Sequence, residues 1–435
     1  MTEPSTRWFP TWTVTTADRV APDERLPWPQ TFVAGFQHVV AMFGSTVLAP
    51  IIMGFDPNVA VLMSGIGTLI FFFIVGGRVP SYLGSSFSFI AVVIAASAYA
   101  GTGPNTNIGP ALGGIIAAGV VYTIIGLVVI KAGYRWIEKL MPPVVTGAIV
   151  AAIGLNLAPI AVKGISASDF DRTVGLVTIV AVGVAAVYAP GTLKRIPVLI
   201  GGLVGYLFYA IGAAAFGMGK PIDFSGLASA AWFGLPQFSA PTFSFGAMAL
   251  IAPVAIILVA ENLGHIKAIG AMTGRNLDPY MGRAFVGDGI ATIVSGMSGG
   301  TGVTTYAENM GVMAVTRIYS TIVFVVAAAI AILFGFSPKF GALILTIPGP
   351  VIGGLSIVIF GLITATAGRI WVESRVDFSK TKNLITTAAA VIAGAGDLTL
   401  HLGGFTLGGI GTATFGAIAL YALLDRRHDE EESAG

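Results

Sequence analysis

The stretch PVVTGAIVAAIG at residues 143–154 returns as PVIGGLSIVIFG at 350–361, with Pro143 and Pro350, Val144 and Val351, Gly147 and Gly354, and Gly154 and Gly361 in one register. Self-similarity of this kind marks two copies of one structural plan. Working outward, further pairs keep the same order: His38 with His265, Gly65 and Gly67 with Gly287 and Gly289, Gly77 with Gly299, and, after a two-residue slip, Tyr82 with Tyr306. Dividing the apolar runs by the ~20 residues that a helical span needs gives about 14 segments. They are expected near 31–52, 58–76, 82–99, 109–130, 143–162, 173–190, 196–217, 247–266, 284–297, 303–316, 319–337, 340–364, 383–398 and 405–424. Seven segments per copy is an odd number, so the second copy enters the membrane upside down relative to the first. The fold class is therefore an all-α polytopic membrane protein with two inverted seven-segment repeats, 31–217 and 247–424, between terminal tails 1–30 and 425–435.

Composition demands the same solvent. Of 435 residues, 10% are charged and 55% apolar, against about 25% charged in a soluble domain. A mean hydropathy of +0.87 leaves too little polar surface to clothe a water-soluble core. A net charge of +2 provides no basic excess to recruit nucleic acid, and the absence of cysteine excludes disulfides, thiolate metal sites and a cysteine nucleophile. Lys and Arg concentrate on cytoplasmic loops. With the N-terminus inside, only Lys163, Arg172, Lys220 and Lys339 fall outside and the other 19 of 23 fall inside, so both tails are expected in the cytoplasm of an inner-membrane protein.

Two segments carry polar breaks. The third begins RVPSYLGSSFSFI (78–90) and the tenth SGGTGVTTYAENMG (298–311), both rich in Gly, Ser and Thr. Short extended breaks are expected there, buried in protein or lining a cavity at mid-membrane. Half-helix N-termini at such breaks offer N–H groups to a ligand carbonyl.

Few residues are left to carry chemistry. Glu261 ends a run without charge that begins after Asp223, and His265 follows four residues later, on the same helical face. An acid so placed is expensive, and it reads as a ligand or proton site or as an interface position with water access. Glu308 follows a second uncharged stretch, back to Asp288; its competing reading is a helix N-terminal acid favoured by the dipole. Asp288 fits a buried hydrogen-bond hub or a loop end equally well. His38 reads as a structural histidine or a proton-transfer group, Phe87 as core or as an aromatic platform for a flat ring, and Arg317 as an orientation anchor ahead of a ligand. There is no Walker loop, HExxH or GxSxG, and the four histidines have no metal-ligand spacing, so no enzyme, metal site or cofactor is expected.

At these residues the chain is similar to the nucleobase–ascorbate (nucleobase–cation symporter 2) transporters, and to their bacterial uracil permeases in particular. The likeness runs from about Gln37 to Asp377 and is carried by QHVVAMFGSTVLAP (37–50), YLGSSFSFI (82–90), AENLGH (260–265), TTYAENMGVMAVTRIYST (304–321) and ESRVDFSKTKNLI (373–385). Glu308-Asn309-Met310-Gly311 through Thr316 matches the family signature. The resemblance implies a substrate-binding core domain, a gate domain that moves against it, and a homodimer. It implies that Glu261 bonds the nucleobase edge, Glu308 bonds a ring N–H, Phe87 packs on the ring, and backbone N–H groups near Phe87 and Ala307 hold its carbonyls. It further implies that His265, Asp288, His38 and Asn309 support the acids and their protonation. Where uracil permeases commonly have Gly, this chain has Ala307.

The function expected on these grounds is proton-coupled import of uracil across the cytoplasmic membrane by alternating access, the proton being the coupling ion. A xanthine or urate symporter of the same family is the nearest alternative, although such carriers typically place Gln where Glu308 stands. An anion carrier or channel of the related sulfate-permease architecture is the more distant one, and anions would want basic site residues.

Overall fold

The computed structural model describes residues 8–433 apart from Ala100, Thr102, Thr192, Gly403 and Gly404. Arg7, and as side chains Arg195, Arg426 and Arg427, lie outside the described residues, so their part in the basic-loop argument is not placed. Each expected segment holds one principal helix. The first copy carries α1 (Trp28–Met53), α2 (Pro57–Ile74), α3 (Ile90–Ser97), α4 (Gly109–Ala132), α5 (Pro143–Asn156), α6 (Asp169–Tyr188) and α7 (Pro197–Phe216). The second carries α8 (Val254–Thr273), α9 (Met281–Met297), α10 (Ala307–Thr316), α11 (Thr321–Gly335), α12 (Gly349–Glu373), α13 (Thr381–Ala395) and α14 (Gly409–Ser433). Among the described residues, eight helical stretches are long and apolar enough to cross a membrane unaided. The short α3 and α10 fall outside that set as expected; α9, α11, α13 and α14 do so as well.

Local chemistry sets the breaks. Asp56 caps α2 by accepting from Asn58 N at 2.7 Å, with Pro57 in the first turn where its missing N–H costs nothing. The twelfth segment corrects the expectation of 340–364: a short helix, Pro338–Leu345, is bent 80° from α11, and α12 starts only at Gly349. Ser337 and Pro338 start that helix, and Pro348 prevents its continuation. The last segment also differs, since residues Leu400–Leu402 and Phe405–Leu407 pair as a hairpin before α14, and α14 runs on into the expected tail as far as Ser433.

Helix surfaces agree with a lipid solvent. On α6, Leu176, Val180, Val184 and Val187 are exposed along one stripe, while on α4 Ile124, Leu127 and Val128 are exposed and Tyr122 and Val129 are buried. Left in water, each large apolar side chain would forfeit about 1.5–3 kcal/mol. Facing hydrocarbon, none of that is lost.

The inverted repeat is visible in reciprocal contacts. Strands β1 (Leu83–Ser85) and β2 (Val303–Thr305) pair antiparallel, with Leu83 opposite Thr305, Gly84 opposite Thr304 and Ser85 opposite Val303. A two-fold axis through the Gly84–Thr304 pair makes Leu83 equivalent to Val303, an offset of 303 − 83 = 220 residues. The preceding helices keep the same offset: a Cβ on Gly67 would meet Ala291 at 3.3 Å, and a Cβ on Gly287 would meet Phe71 at 3.1 Å. Gly67, not Gly65, is thus the partner of Gly287, and the slipped Tyr82–Tyr306 pair is replaced by Tyr82 with Gly302 and Phe87 with Ala307. Identity at the slipped positions misled the eye because strand register, not residue type, fixes equivalence.

Two compact units cross-cut the repeats. One comprises Met1–Gly133 with Val180–Pro348, and the other Tyr134–Ile179 with Gly349–Gly435. Within the second, α5 and α12 run antiparallel: Trp371 Nε1 donates to the Val144 carbonyl at 3.3 Å, and Gly154 lies against Phe360 and Thr364. Within the first, the N-terminal tail is tied down. Val20 N donates to the Arg317 carbonyl at 3.0 Å, Tyr319 N donates to Val20 O at 2.9 Å, and Asp23 pairs with Arg275 at 2.5 Å. Trp12 packs on Phe72 and donates to Thr321 at 2.9 Å. The close seam of α4 on α9 yields a test. A Cβ on Gly289 would lie 2.7 Å from Thr123 N and 2.9 Å from Gly119 O, both backbone. Gly289→Ala is expected to cost about 1–3 kcal/mol and lower the melting temperature of the detergent-purified protein; Gly183→Ala, with open space around it, is expected not to lower it.

Candidate functional site

Two half-helices start at the strand crossing. After Ser85, a 3-10 turn opens at Phe87 and leads into α3; after Thr305, α10 opens at Ala307. Phe87 and Ala307 are equivalent under the two-fold, and so are Ser88 and Glu308. The scaffold is symmetric, while the chemistry on it differs: one copy presents an aromatic ring and the other an acid.

The strands are held at both ends by hydrogen bonds to their backbone. Thr68 of α2 accepts from Leu83 N at 2.9 Å, and Thr292 of α9 accepts from Val303 N at 3.2 Å. Ser86 N donates to Gly302 O at 2.9 Å and Tyr306 N to Tyr82 O at 3.0 Å. The strands approach closely over Gly84, where a Cβ would meet the Tyr306 ring at 2.5 Å and Thr46 Oγ1 at 2.6 Å.

Around the crossing the structure assembles the residues singled out from sequence. Phe87 is half-buried, Ala307 and Glu308 are exposed on the first turn of α10, and Glu261 is half-buried on α8. Glu261 interacts electrostatically with both Glu308 and Asp288. Asp288, fully buried on α9, is a hub: its Oδ2 accepts from Asn262 Nδ2 at 2.6 Å and from Tyr122 OH at 3.4 Å. Asn262 Nδ2 also donates to Tyr122 OH at 2.9 Å.

Hydrogen-bond direction fixes the two histidines. Thr305 Oγ1 meets His265 Nδ1 at 2.8 Å and the Asn262 carbonyl oxygen at 3.3 Å; donation to the Asn262 oxygen goes with a proton on His265 Nδ1. Asn309 Nδ2 donates to His38 Nδ1 at 3.0 Å and to His38 O at 3.1 Å, so the buried, neutral His38 carries its proton on Nε2. His38 also packs on Phe324, ring centroids 4.6 Å apart. Both histidines, though paired in the sequence repeat, turn to the second copy's strand and half-helix, one supporting Thr305 and the other Asn309.

Sequence reasoning missed several participants. Ser45 of α1 donates to Glu308 Oε1, Thr46 donates to Tyr306 OH at 3.1 Å, and Tyr306 OH donates to Ser85 O at 2.8 Å. The Ser45-Thr46 pair inside an apolar helix was a readable signal. Tyr122, Asn262 and Thr305 had none, because nothing in the sequence relates α4, α8 and β2 in space. Among the described residues no group of His, Asp and Glu is arranged to hold a metal. Replacing Asp288 gives a test: Asp288→Ala strands the Asn262 amide in the core and is expected to cost about 1–3 kcal/mol, read as a lower melting temperature, whereas Asp288→Asn keeps an acceptor oxygen and costs less.

Comparison with known proteins agrees with this architecture. The transmembrane domain of the cyanobacterial bicarbonate transporter BicA superposes with a TM-score of 0.63 at 17% identity, covering 91% of this chain and 97% of that one. SLC26A9 superposes with a TM-score of 0.64 at 12% identity, over 91% of this chain and 65% of its own. These likenesses establish the inverted-repeat transporter fold. In sequence, the chain is 65% identical over 423 residues to the putative pyrimidine permease RutG of Escherichia coli K12, covering 96% of each. It is 41% identical to the uracil permease of Bacillus caldolyticus, over 93% of this chain and 94% of that one, and 39% identical to the uracil permease of Escherichia coli K12, over 91% and 92%. Residues 29–403 match the family model described as the Permease family. The chain is thus a multi-pass membrane transporter, not an enzyme, and it belongs to the nucleobase–cation symporter 2 permease family.

Proposed function

We propose that this permease imports a pyrimidine nucleobase, uracil first, together with a proton across the cytoplasmic membrane by alternating access, with both termini in the cytoplasm. The observation that carries the reading is the meeting of two acids of the second repeat, Glu261 on α8 and Glu308 at the start of α10, with Phe87 on the first repeat's equivalent half-helix. Uracil is flat and neutral and alternates N–H donors with carbonyl acceptors. Glu308 takes a ring N–H, Glu261 takes the remaining edge, and Phe87 packs on the face. Backbone N–H groups near Phe87 and Ala307 take the carbonyls, as the positive end of a helix favours. The 65% identity to a putative pyrimidine permease supports the same substrate class.

Coupling follows from charge. Two carboxylates that repel each other in a low dielectric are costly, and one proton relieves both the repulsion and part of the desolvation. The loaded site carries less charge than the empty one and reorients at lower cost; loss of the proton inside restores repulsion and releases the base. His265, Asp288, His38 and Asn309 act as the support that keeps the acids and the half-helix in register. An anion would meet acids here rather than bases, so the fold shared with a bicarbonate transporter does not extend to its charge logic.

The test is uptake of radiolabelled uracil into cells lacking their own permease at two external pH values, with xanthine and thymine as competitors, and into proteoliposomes with an imposed pH gradient. Uptake is expected to rise at acid pH and to follow the gradient. Loss of the ring N–H acceptor in Glu308→Gln is expected to lower it about tenfold or more. Uptake indifferent to the gradient would remove proton coupling, and xanthine-sensitive transport without uracil uptake would move the substrate to the purines.

A further inference from the structure

Ser45 is buried on α1, and its hydroxyl donates to Oε1 of Glu308. The next residue, Thr46, is buried too and donates to Tyr306 OH at 3.1 Å, which in turn donates to Ser85 O at 2.8 Å. Two consecutive hydroxyls of one helix therefore hold the residues on either side of Ala307. Through Tyr306 they reach β1, and through Glu308 they reach the exposed face of α10.

The Ser45 contact changes what Glu308 can recognise. A free carboxylate offers two parallel oxygens and pairs side by side with two adjacent donors, as it does with an amidine-like edge. With Oε1 already accepting from Ser45, Oε2 is the oxygen whose two lone pairs are both open and the better acceptor for a ligand. One acceptor suits an imide edge, in which a single ring N–H lies between two carbonyls. It suits less well an edge in which a ring N–H stands beside an exocyclic amino group, because the second donor would have to share Oε1 with the Ser45 hydroxyl and compete with it for that oxygen's charge.

We propose that Ser45 is a specificity-determining residue that positions Glu308 as a single-oxygen acceptor, selecting oxidised pyrimidines with an imide edge over 2-aminopyrimidinones with two adjacent donors. The inference rests on the nucleobase reading of the site and adds to it a residue and a selection rule. Ser45 acts through Glu308, so its effect must vanish when that carboxylate is gone.

The experiment measures binding of uracil and of isocytosine (2-amino-4-pyrimidinone) to the purified permease by ligand-induced thermal stabilisation, in wild type, Ser45→Ala, Ser45→Thr, Glu308→Gln and the S45A/E308Q double variant. The unliganded melting temperature reports folding of each. Ser45→Ala is expected to weaken uracil binding about tenfold and to narrow the uracil-to-isocytosine ratio by at least that factor. Ser45→Thr, which keeps the hydroxyl, is expected to retain the ratio, and removing the Ser45 hydroxyl from Glu308→Gln is expected to change uracil binding less than about twofold. If Ser45→Ala is too unstable to purify, Ser45→Cys keeps the volume, weakens the donor and is expected to narrow the ratio in the same direction. An unchanged ratio in the hydroxyl-free variant, or losses that multiply in the double variant, would overturn the assignment while leaving uracil binding by wild type intact. Failure of wild type to bind either base would instead remove the nucleobase reading, and this inference with it.

Discussion

The pairing of β1 with β2 is the constraint on which the rest of this molecule depends. A helix interrupted at mid-membrane exposes backbone N–H and C=O groups where no water can satisfy them, at several kcal/mol each. Here each interrupted segment satisfies the other. Leu83–Ser85 lies against Val303–Thr305, and threonines of α2 and α9 close the strand starts. Because both breaks must occur at one depth and in one register, the second repeat has to be inverted with respect to the first, and both half-helices have to begin beside the same axis.

That axis brings symmetry to the backbone and asymmetry to the side chains. Phe87 and Ala307 occupy equivalent positions, as do Ser88 and Glu308. A site built this way receives an aromatic wall from one half and an acid from the other. The support follows the acid: His265 through Thr305, and His38 through Asn309, both brace the second copy's crossing. Asp288, Asn262 and Tyr122 form a buried polar layer behind them. In such surroundings a half-satisfied network is costly, so these groups hold α8, α9 and α4 in one arrangement beside the acids.

Much of this was legible in the amino-acid sequence. The polar, glycine-rich openings at 78–90 and 298–311 could not be ordinary lipid-facing helices, and they are the two strand breaks. Glu261 and Glu308 stood out because a charge after a long apolar run demands a reason. The single histidines were less legible, since the sequence pairs them by repeat while the fold directs both to one strand and half-helix. The twelfth segment was misjudged by length alone: an apolar stretch long enough to span was divided between a bent short helix and α12 by Pro338 and Pro348.

The sequence by itself determined the solvent, the number of segments, the repeat and its inversion, because these follow from composition, apolar run length and parity. The tertiary structure alone decided which residues are equivalent. Tyr82 and Tyr306 match in type, but hydrogen-bonded register makes Phe87 the equivalent of Ala307, and register is a property of two strands together. It alone revealed that Ser45 and Thr46 brace the half-helix, and that Tyr122 belongs to the acid network. Such contacts join residues more than a hundred positions apart, and no local propensity encodes a hydrogen bond between segments that meet only after the bundle has packed.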